Sequence, residues 1–274
     1  MAGFGRAGRA LERHTWADRR GPGVLHVAVL AGGAVALGRL LPQGTLGTAA
    51  CTWVVLGGRS LGREAAAVHA HLVRGDLPAA REQVTHLVGR DPSVLDADGV
   101  ARAAVESVAE NTSDAVVAPL LWGAVAGPAG LLGYRAVNTL DAMVGHRSPR
   151  YLRFGWAAAR LDDVVNLVPS RVTAMLAASA RPGPALRAWR RDARRHPSPN
   201  AGPVEASFAG ALGVRLGGRN VYGDEVEDRG HLGDGPPPTA ADVLRAVALA
   251  DRVGLSAALL AAALAATRAP RRRR

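Results

Sequence analysis

Long apolar runs alternate with short arginine-rich stretches along this chain. Val24 to Leu41 is apolar apart from His26 and Arg39. At about 18 residues it is near the shortest helix that crosses a bilayer, and Arg39 is close enough to its end to snorkel. Pro42-Gln43-Gly44 predicts a turn. Thr45 to Gly57 is apolar again, so the two runs predict a helical hairpin, either in a bilayer or buried in a soluble core. Leu61 to Arg74 has the spacing of an amphipathic helix, Gly75-Asp76 of a break, and Leu77 to Val88 of a second helix. Ala115 to Tyr134 carries no charge and is long enough to span, yet Gly127-Pro128 interrupts it, and proline breaks a helix interior. A full crossing would separate Asp114 from Asp141. A re-entrant or broken hairpin returns them to one side, and such backbone is tolerated at membrane depth only inside protein or along a cavity. Val164 to Ala180 is apolar except chiefly for Asn166 and Arg171. Residues 224–238 read as a flexible loop, and Ala240 to Thr267 as a helix. The pattern predicts an all-α, multi-pass helical membrane protein with a re-entrant or broken hairpin and cytoplasmic helical segments, built as one membrane-embedded domain over residues 1–274.

Charge orients this picture. Arg6, Arg9, Arg13, Arg19 and Arg20 precede the first run, and Arg59, Arg63, Arg74, Arg81 and Arg90 follow the second. Basic flanks place both ends of the hairpin, and with them the basic tail Arg271 to Arg274, in the cytoplasm. No small-residue cleavage site follows the first run, so it does not read as a signal peptide. The net charge is +11 without a single lysine. Together with the abundance of Ala, Gly and Val this reflects a GC-rich coding bias, so the basic balance is weak evidence for nucleic acid. Aromatics are 4% of the chain, few platforms for stacking bases. The lack of lysine excludes a standard P-loop and Schiff-base chemistry. Cys51, the single cysteine, excludes an internal disulfide and a multi-cysteine zinc site, and reads as a small buried hydrophobe. His69 and His71 are two apart and share no helix face, so they read as surface residues. Arg181 to His196 holds six arginines and one acid. It reads either as a solvated basic loop or as a cytoplasmic loop facing phosphate or anionic lipid. In His196 to Glu205 a turn precedes a helix start capped by Ser198 or Asn200, an arrangement that also suits phosphate.

Against this background three polar clusters stand out between Arg102 and Asn166. Arg102, Glu106, Glu110 and Asp114 recur every four residues and would share a helix face. Asn138 and Asp141 form a second set, and Arg160, Asp162, Asp163 and Asn166 a third. Carboxylates and amides are hard oxygen ligands of the kind Mg²⁺ uses while it holds phosphates. The competing reading is a set of solvated faces with internal salt bridges. Beside long uncharged stretches the functional reading gains weight, because ionisable groups at the edge of a bilayer are costly and tend to serve function.

The order of motifs resembles the CobD/CbiB family of cobalamin biosynthesis, the adenosylcobinamide-phosphate synthases. The matching stretches are Gly89-Arg90-Asp91, Val105 to Asn111, Asn138 to Met143, Phe154-Gly155, Ala159 to Asp163, Asn166, Pro169, Arg171 and Ser198 to Gly202 with Glu205. The resemblance implies a multi-pass protein of the cell membrane with a cytoplasmic active site. It also implies ATP-dependent amide formation between a carboxylate of the corrinoid cobyric acid and aminopropanol or its phosphate. Under it, Glu110, Asp114, Asp162 and Asp163 are expected to ligate Mg²⁺, and Arg160 and Arg171 to meet phosphate oxygens. Asn111, Asn138, Asn166 and Asn200, with Ser198 and Glu205, are expected to bind substrate, and Glu106 or Asp141 to take the amine proton. Family members carry an apolar helix and a His-Pro-Val segment before the position of Phe4-Gly5, so the resemblance implies a true start upstream or a missing first span. Two rivals fit the residues alone: a membrane prenyltransferase holding Mg²⁺-diphosphate, and a non-enzymatic corrinoid scaffold. A partner subunit and its identity stay open, and nucleic acid is not expected.

Overall fold

The computed structural model describes residues 2–89, 91–222 and 225–268. Arg90, Asp224 and the basic tail Arg271 to Arg274, all part of the sequence expectations, lie outside the described residues. The helices are α1 (Ala2–Thr15), α2 (Arg20–Leu40), α3 (Thr45–Val55), α4 (Gly58–Val73), α5 (Leu77–Val84), α6 (Ala97–Thr112), α7 (Ala118–Leu140), α8 (Trp156–Ala178), α9 (Pro182–Asp192), α10 (Ala201–Leu212) and α11 (Ala240–Arg268). Two π-helical turns, Ser113–Val117 and Asp141–Gly145, flank α7, and a 3₁₀ turn, Ala193–Arg195, follows α9. Strands β1 (Leu216–Tyr222) and β2 (Glu225–Leu232) pair antiparallel. Among the described residues three helical runs are long and apolar enough to cross a membrane: Arg20–Leu40, Ala97–Gly145 and Ala240–Arg268.

The chain divides into two compact units. The first comprises the described residues of Met1–Leu56, Ala118–Leu167 and Ala258–Arg274, and the second those of Gly57–Val117 and Val168–Ala257.

In the first unit, α2 and α3 both pack on α7. Gly38 of α2 lets the backbones touch: a Cβ there would collide with Ala129 of α7. Close approach through small residues is how helices associate where lipid removes the hydrophobic drive between them. The core joins Val27, Ala31, Val137, Leu140, Val144, Phe154 and Ala158. Cys51 is buried in a satellite cluster with Val55 and Leu131, as a small hydrophobe. Helix α3 has eleven residues and is therefore about 16 Å long, short of the hydrocarbon thickness. The predicted hairpin is thus one helix of spanning length and one short helix laid on α7.

Helix α7 is broken where the sequence predicts. Ala126 (φ −136°, ψ 17°) and Gly127 (φ 56°, ψ −144°) leave helical geometry just before Pro128. Positive φ is cheap only for glycine. A Cβ on Gly130 would collide with the Trp122 carbonyl, and one on Gly123 would lie 2.9 Å from the Leu131 side chain. In a continuous helix, positions 122 and 130 would stand about 12 Å apart, so the two arms double back on each other.

The second unit packs α4 on α5 and α6, and α10 on α9 and α6, with the hairpin laid against them. Three elements differ from expectation. The basic stretch after Arg181 is largely helix, α9, because Ala185 and Ala188 recur on one face and bury against α10. The polar stretch after Asp224 holds β2, paired in register with β1 (Leu216 opposite Leu232). Gly217 and Gly218 adopt φ of +78° and +87° beside a register shift, the bulge geometry that glycine permits. Helix α5 also stops at Val84, four residues short of the predicted end. His69 is half-buried and its Nδ1 is 2.8 Å from the Ala240 carbonyl, so it ties α4 to α11 within this unit.

Candidate active site

Each unit assembles a polar centre. In the first, the ends of α7 and the first half of α8 build a hydrogen-bonded chain. Arg135 Nη1 donates to Asn138 Oδ1 (3.1 Å), and Asn138 Nδ2 to Asp162 Oδ1 (3.5 Å). Asn166 Nδ2 donates to Asp162 Oδ2 (2.9 Å), and Tyr134 Oη to Asn166 Oδ1 (2.9 Å). Spacings of three and four residues put Arg135 beside Asn138 and Asp162 beside Asn166 on their helices. Asn166 and Tyr134 are buried at 1% and 3% exposure. Asp162 thus has both oxygens approached by amide donors that fix its orientation. Asp163 Oδ2 lies 3.7 Å from Arg160 Nη1. Burial raises the Asp163 carboxyl above the ordinary aspartate value, and the Arg160 guanidinium opposes that. Asp141 opens the second π-turn, its carboxylate seated where a side chain on Gly145 would go.

In the second unit the latter half of α8 meets the start of α10. Arg171 Nη1 donates to Asn200 Oδ1 (2.7 Å) and to Ser170 Oγ (2.9 Å), and Ser170 Oγ donates to the same Asn200 oxygen (3.1 Å). Burial lowers the Arg171 guanidinium from its usual value. The choice between caps resolves to Ser198: its Oγ accepts from the Ala201 and Asn200 amides (3.1 and 3.3 Å). Asn200, at the N-cap position, makes no side-chain cap bond, because its oxygen serves Arg171. Glu205 is fully buried, 3.6 Å from His196 and 3.9 Å from Arg229. Those contacts make it a tie between the turn before α10 and β2.

The expected face of Arg102, Glu106, Glu110 and Asp114 does not hold as one face. Glu106 is 4% exposed and accepts from the Gly217 amide (2.8 Å), with Arg102 Nε at 3.8 Å. Glu110 is exposed, and Asp114 is half-buried in the first π-turn. The reason is helical pitch: a four-residue repeat drifts about 40° per step, about 120° from Arg102 to Asp114. Asn111 turns back onto Ser107, donating to its carbonyl (3.0 Å) and hydroxyl (3.1 Å).

The four expected metal ligands fall two to a unit. Glu110 and Asp114 belong to the second unit, Asp162 and Asp163 to the first. Among the described residues no three His, Cys, Asp or Glu side chains are arranged to hold a metal. Mg²⁺ on a nucleotide needs only one or two carboxylates, with phosphates and water completing its octahedron. The amide-oriented Asp162 beside Asp163 fits that role and not a protein-only cage.

Three participants escape the sequence reading. Tyr134 and Arg135 end an apolar run one turn before Asn138, and a lone arginine at that position is the only signal. Asp192, the one acid in the basic stretch, is fully buried. It accepts two hydrogen bonds from Arg191 (2.7 Å each) and one from the Gly233 amide (3.0 Å).

A family model described as CobD/Cbib protein matches residues 1–250. The cobalamin biosynthesis protein CobD of Mycobacterium tuberculosis (strain ATCC 25618 / H37Rv) is 52% identical over 282 residues, covering 98% of this chain and 90% of that protein. The protein of the same name from Chromobacterium violaceum is 44% identical over 287 residues, covering 96% and 91%. The one from Rhodobacter capsulatus is 54% identical over 200 residues, covering 72% and 64%. No solved structure matches. With residues 1–250 matched and such identity across nearly its whole length, the chain belongs to the CobD/CbiB family.

Proposed function

We propose that this chain is an enzyme of cobalamin biosynthesis that joins a carboxylate of cobyric acid to aminopropanol, or its phosphate, through an amide, with ATP as the activating substrate. What carries the reading is the 52% identity, across 98% of the chain, to a relative named a cobalamin biosynthesis protein. The buried network around Asp162 supports it, since ordered carboxylates and amides suit the positioning and charge neutralisation such chemistry needs. A carboxylate at neutral pH does not acylate an amine. Phosphoryl transfer from ATP makes it an acyl phosphate and releases ADP, and the neutral amine then attacks the acyl carbon, displaces inorganic phosphate and sheds a proton.

In this reading Asp162 and Asp163 hold Mg²⁺, with Glu110 and Asp114 the second candidate pair. The ion supplies charge neutralisation to the phosphates when bound. Arg160 and Arg171 offer forked donors to phosphate oxygens, and Arg171 is preset by Asn200 and Ser170. Asn138 and Asn166 orient Asp162. Asp141 accepts the amine proton, because Glu106 is engaged by the Gly217 amide and acts by positioning. The break in α7 serves as a re-entrant hairpin in the cell membrane, with the site on the cytoplasmic side.

The test supplies membranes carrying the full chain with ATP, cobyric acid and aminopropanol phosphate, and follows the corrinoid by mass. An amide that requires all three and is lost in Asp162→Asn is the expected result. Amide formation without ATP, or full turnover in Asp162→Asn, overturns the reading.

A further inference from the structure

The second unit contains a solvent-open cavity of about 400 Å³ between the start of α6 and the base of the β-hairpin, away from Asn200 and Arg171 in sequence and lining. Three basic side chains line it: Arg102 from α6, Arg215 from just before β1, and His231 from β2. Among the described residues Arg102 pairs with Glu106, through Nε at 3.8 Å. Its Nη1 instead points toward the hairpin, 3.4 Å from where a Cβ on Gly218 would stand, and His231 Cε1 is 3.5 Å from the same point. Glycine at 218 keeps that space open. Among the described residues the side chains of Arg215 and His231 make no hydrogen bond or ion pair, and both are exposed. Two acids share the wall. Asp96 Oδ1 is committed to capping α6 through the Gly99 amide (2.8 Å), and Asp98 is exposed in the first helical turn.

Two guanidinium groups and an imidazole lining one opening offer several N–H donors to a single anion. We propose that this cavity is a binding site for the phosphate group of a small-molecule ligand, held by Arg102, Arg215 and His231. Phosphate matches the donor set better than a carboxylate. One arginine fork already saturates a carboxylate, whereas three separate donors fit three phosphate oxygens. The aligned amides of α6 add positive potential at its N-terminus. Glu106 holds Arg102 from behind, and through the Gly217 amide it fixes the hairpin that carries His231. Asp98 favours a ligand that also carries an ammonium group over a bare polyphosphate. The site stands on this geometry alone and does not depend on the amide-forming reading.

The probes are inorganic phosphate, pyrophosphate and phosphoethanolamine, titrated into the full chain in detergent. Sodium chloride at matched ionic strength is the control, and the thermal unfolding midpoint is the readout, since a ligand that binds only the folded state raises it. At least one probe raises the midpoint beyond the salt control, and the strongest identifies a free phosphate, a polyphosphate or an aminoalkyl phosphate as the natural source. Arg215→Gln with His231→Gln, both at exposed positions where substitution leaves stability almost unchanged, keeps the unliganded midpoint. It weakens apparent affinity by roughly tenfold or more through loss of charge-assisted bonds. No rise with any probe, or an equal rise in the double variant, overturns the proposal.

Discussion

The bond between Tyr134 and Asn166 gives the sharpest test of the buried network. Asn166→Ala deletes at least two interactions at once, the 2.9 Å bond from Tyr134 and the 2.9 Å bond to Asp162 among them. The neutral bond contributes about 1 kcal/mol and the one to the carboxylate about 1.5–3 kcal/mol. Truncation at a position 1% exposed therefore costs about 2–4 kcal/mol, with the buried polar groups left behind setting the upper end. Tyr134→Phe keeps the ring and removes one hydroxyl, so its cost is about 1 kcal/mol. The two changes share one bond, so their effects should not add. Double-mutant cycles on hydrogen bonds between membrane helices give coupling of about 0.6 kcal/mol on average and about 1.7 at most, and the cycle here should fall in that range. The assay is denaturant titration of the four proteins in mixed micelles, with the slope checked for constancy across them. Turnover adds a second axis. Asn166→Ala also releases Asp162, so it should lose more activity than Tyr134→Phe at equal stability. Strict additivity, with coupling under about 0.3 kcal/mol, would show that the chain of bonds is not an energetic unit and would remove its claim to orient Asp162.

Other outcomes follow from single contacts. Gly210→Val should destabilise the second unit by about 1–3 kcal/mol, since its Cβ would lie 2.6 Å from the Ala185 Cα and 2.7 Å from the Pro184 carbonyl. A thermal scan that shows no loss would mean α9 and α10 are not in backbone contact. Asp192→Asn should cost about 2 kcal/mol. Burial alone would raise this carboxyl, but the Arg191 bonds and the Gly233 amide outweigh it and hold it below the ordinary aspartate value. Its stabilisation is therefore present at neutral pH and fades as pH falls through the folded-state value, so the variant and the parent should converge in acid. Asp163 has the opposite sign. Its raised folded value means the proton is held more tightly in the folded chain. Its contribution is full below the unfolded value and lost as pH rises through the folded one. Asp163→Asn should thus abolish turnover yet leave the midpoint at pH 7 unchanged or higher, and a lower midpoint at that pH would contradict the stated cause.

The helices were legible because burial follows period. The run from Val24, the break at Gly127-Pro128 and the final helix from Ala240 all fall where the pattern puts them. The hairpin was not, because Glu225 to Leu232 carries too many charges for an alternating strand. What sets it is backbone: Gly217 and Gly218 in the left-handed region, and a buried glutamate on another element that holds the Gly217 amide. The helix after Arg181 was hidden by its arginines. Only Ala185, Ala188 and Asp192 face inward, and alanine leaves little apolar signal.

The same logic separates the residues of the site. Asn138, Asp162 and Asn166 stood out because polar side chains three or four apart beside apolar helix are placed to meet each other or a ligand, and these meet each other. The equally spaced Arg102, Glu106, Glu110 and Asp114 looked alike in sequence. Pitch carries Glu106 into the protein and Glu110 onto its surface, so equal spacing hides unequal chemistry. Glu106 is fixed by a backbone amide more than a hundred residues away, a partner that no local pattern announces. It is also what places Arg102 at the mouth of the basic cavity. A residue read as a base from its neighbours in sequence thus becomes, through one long-range hydrogen bond, the support of an anion site that sequence spacing alone does not reveal.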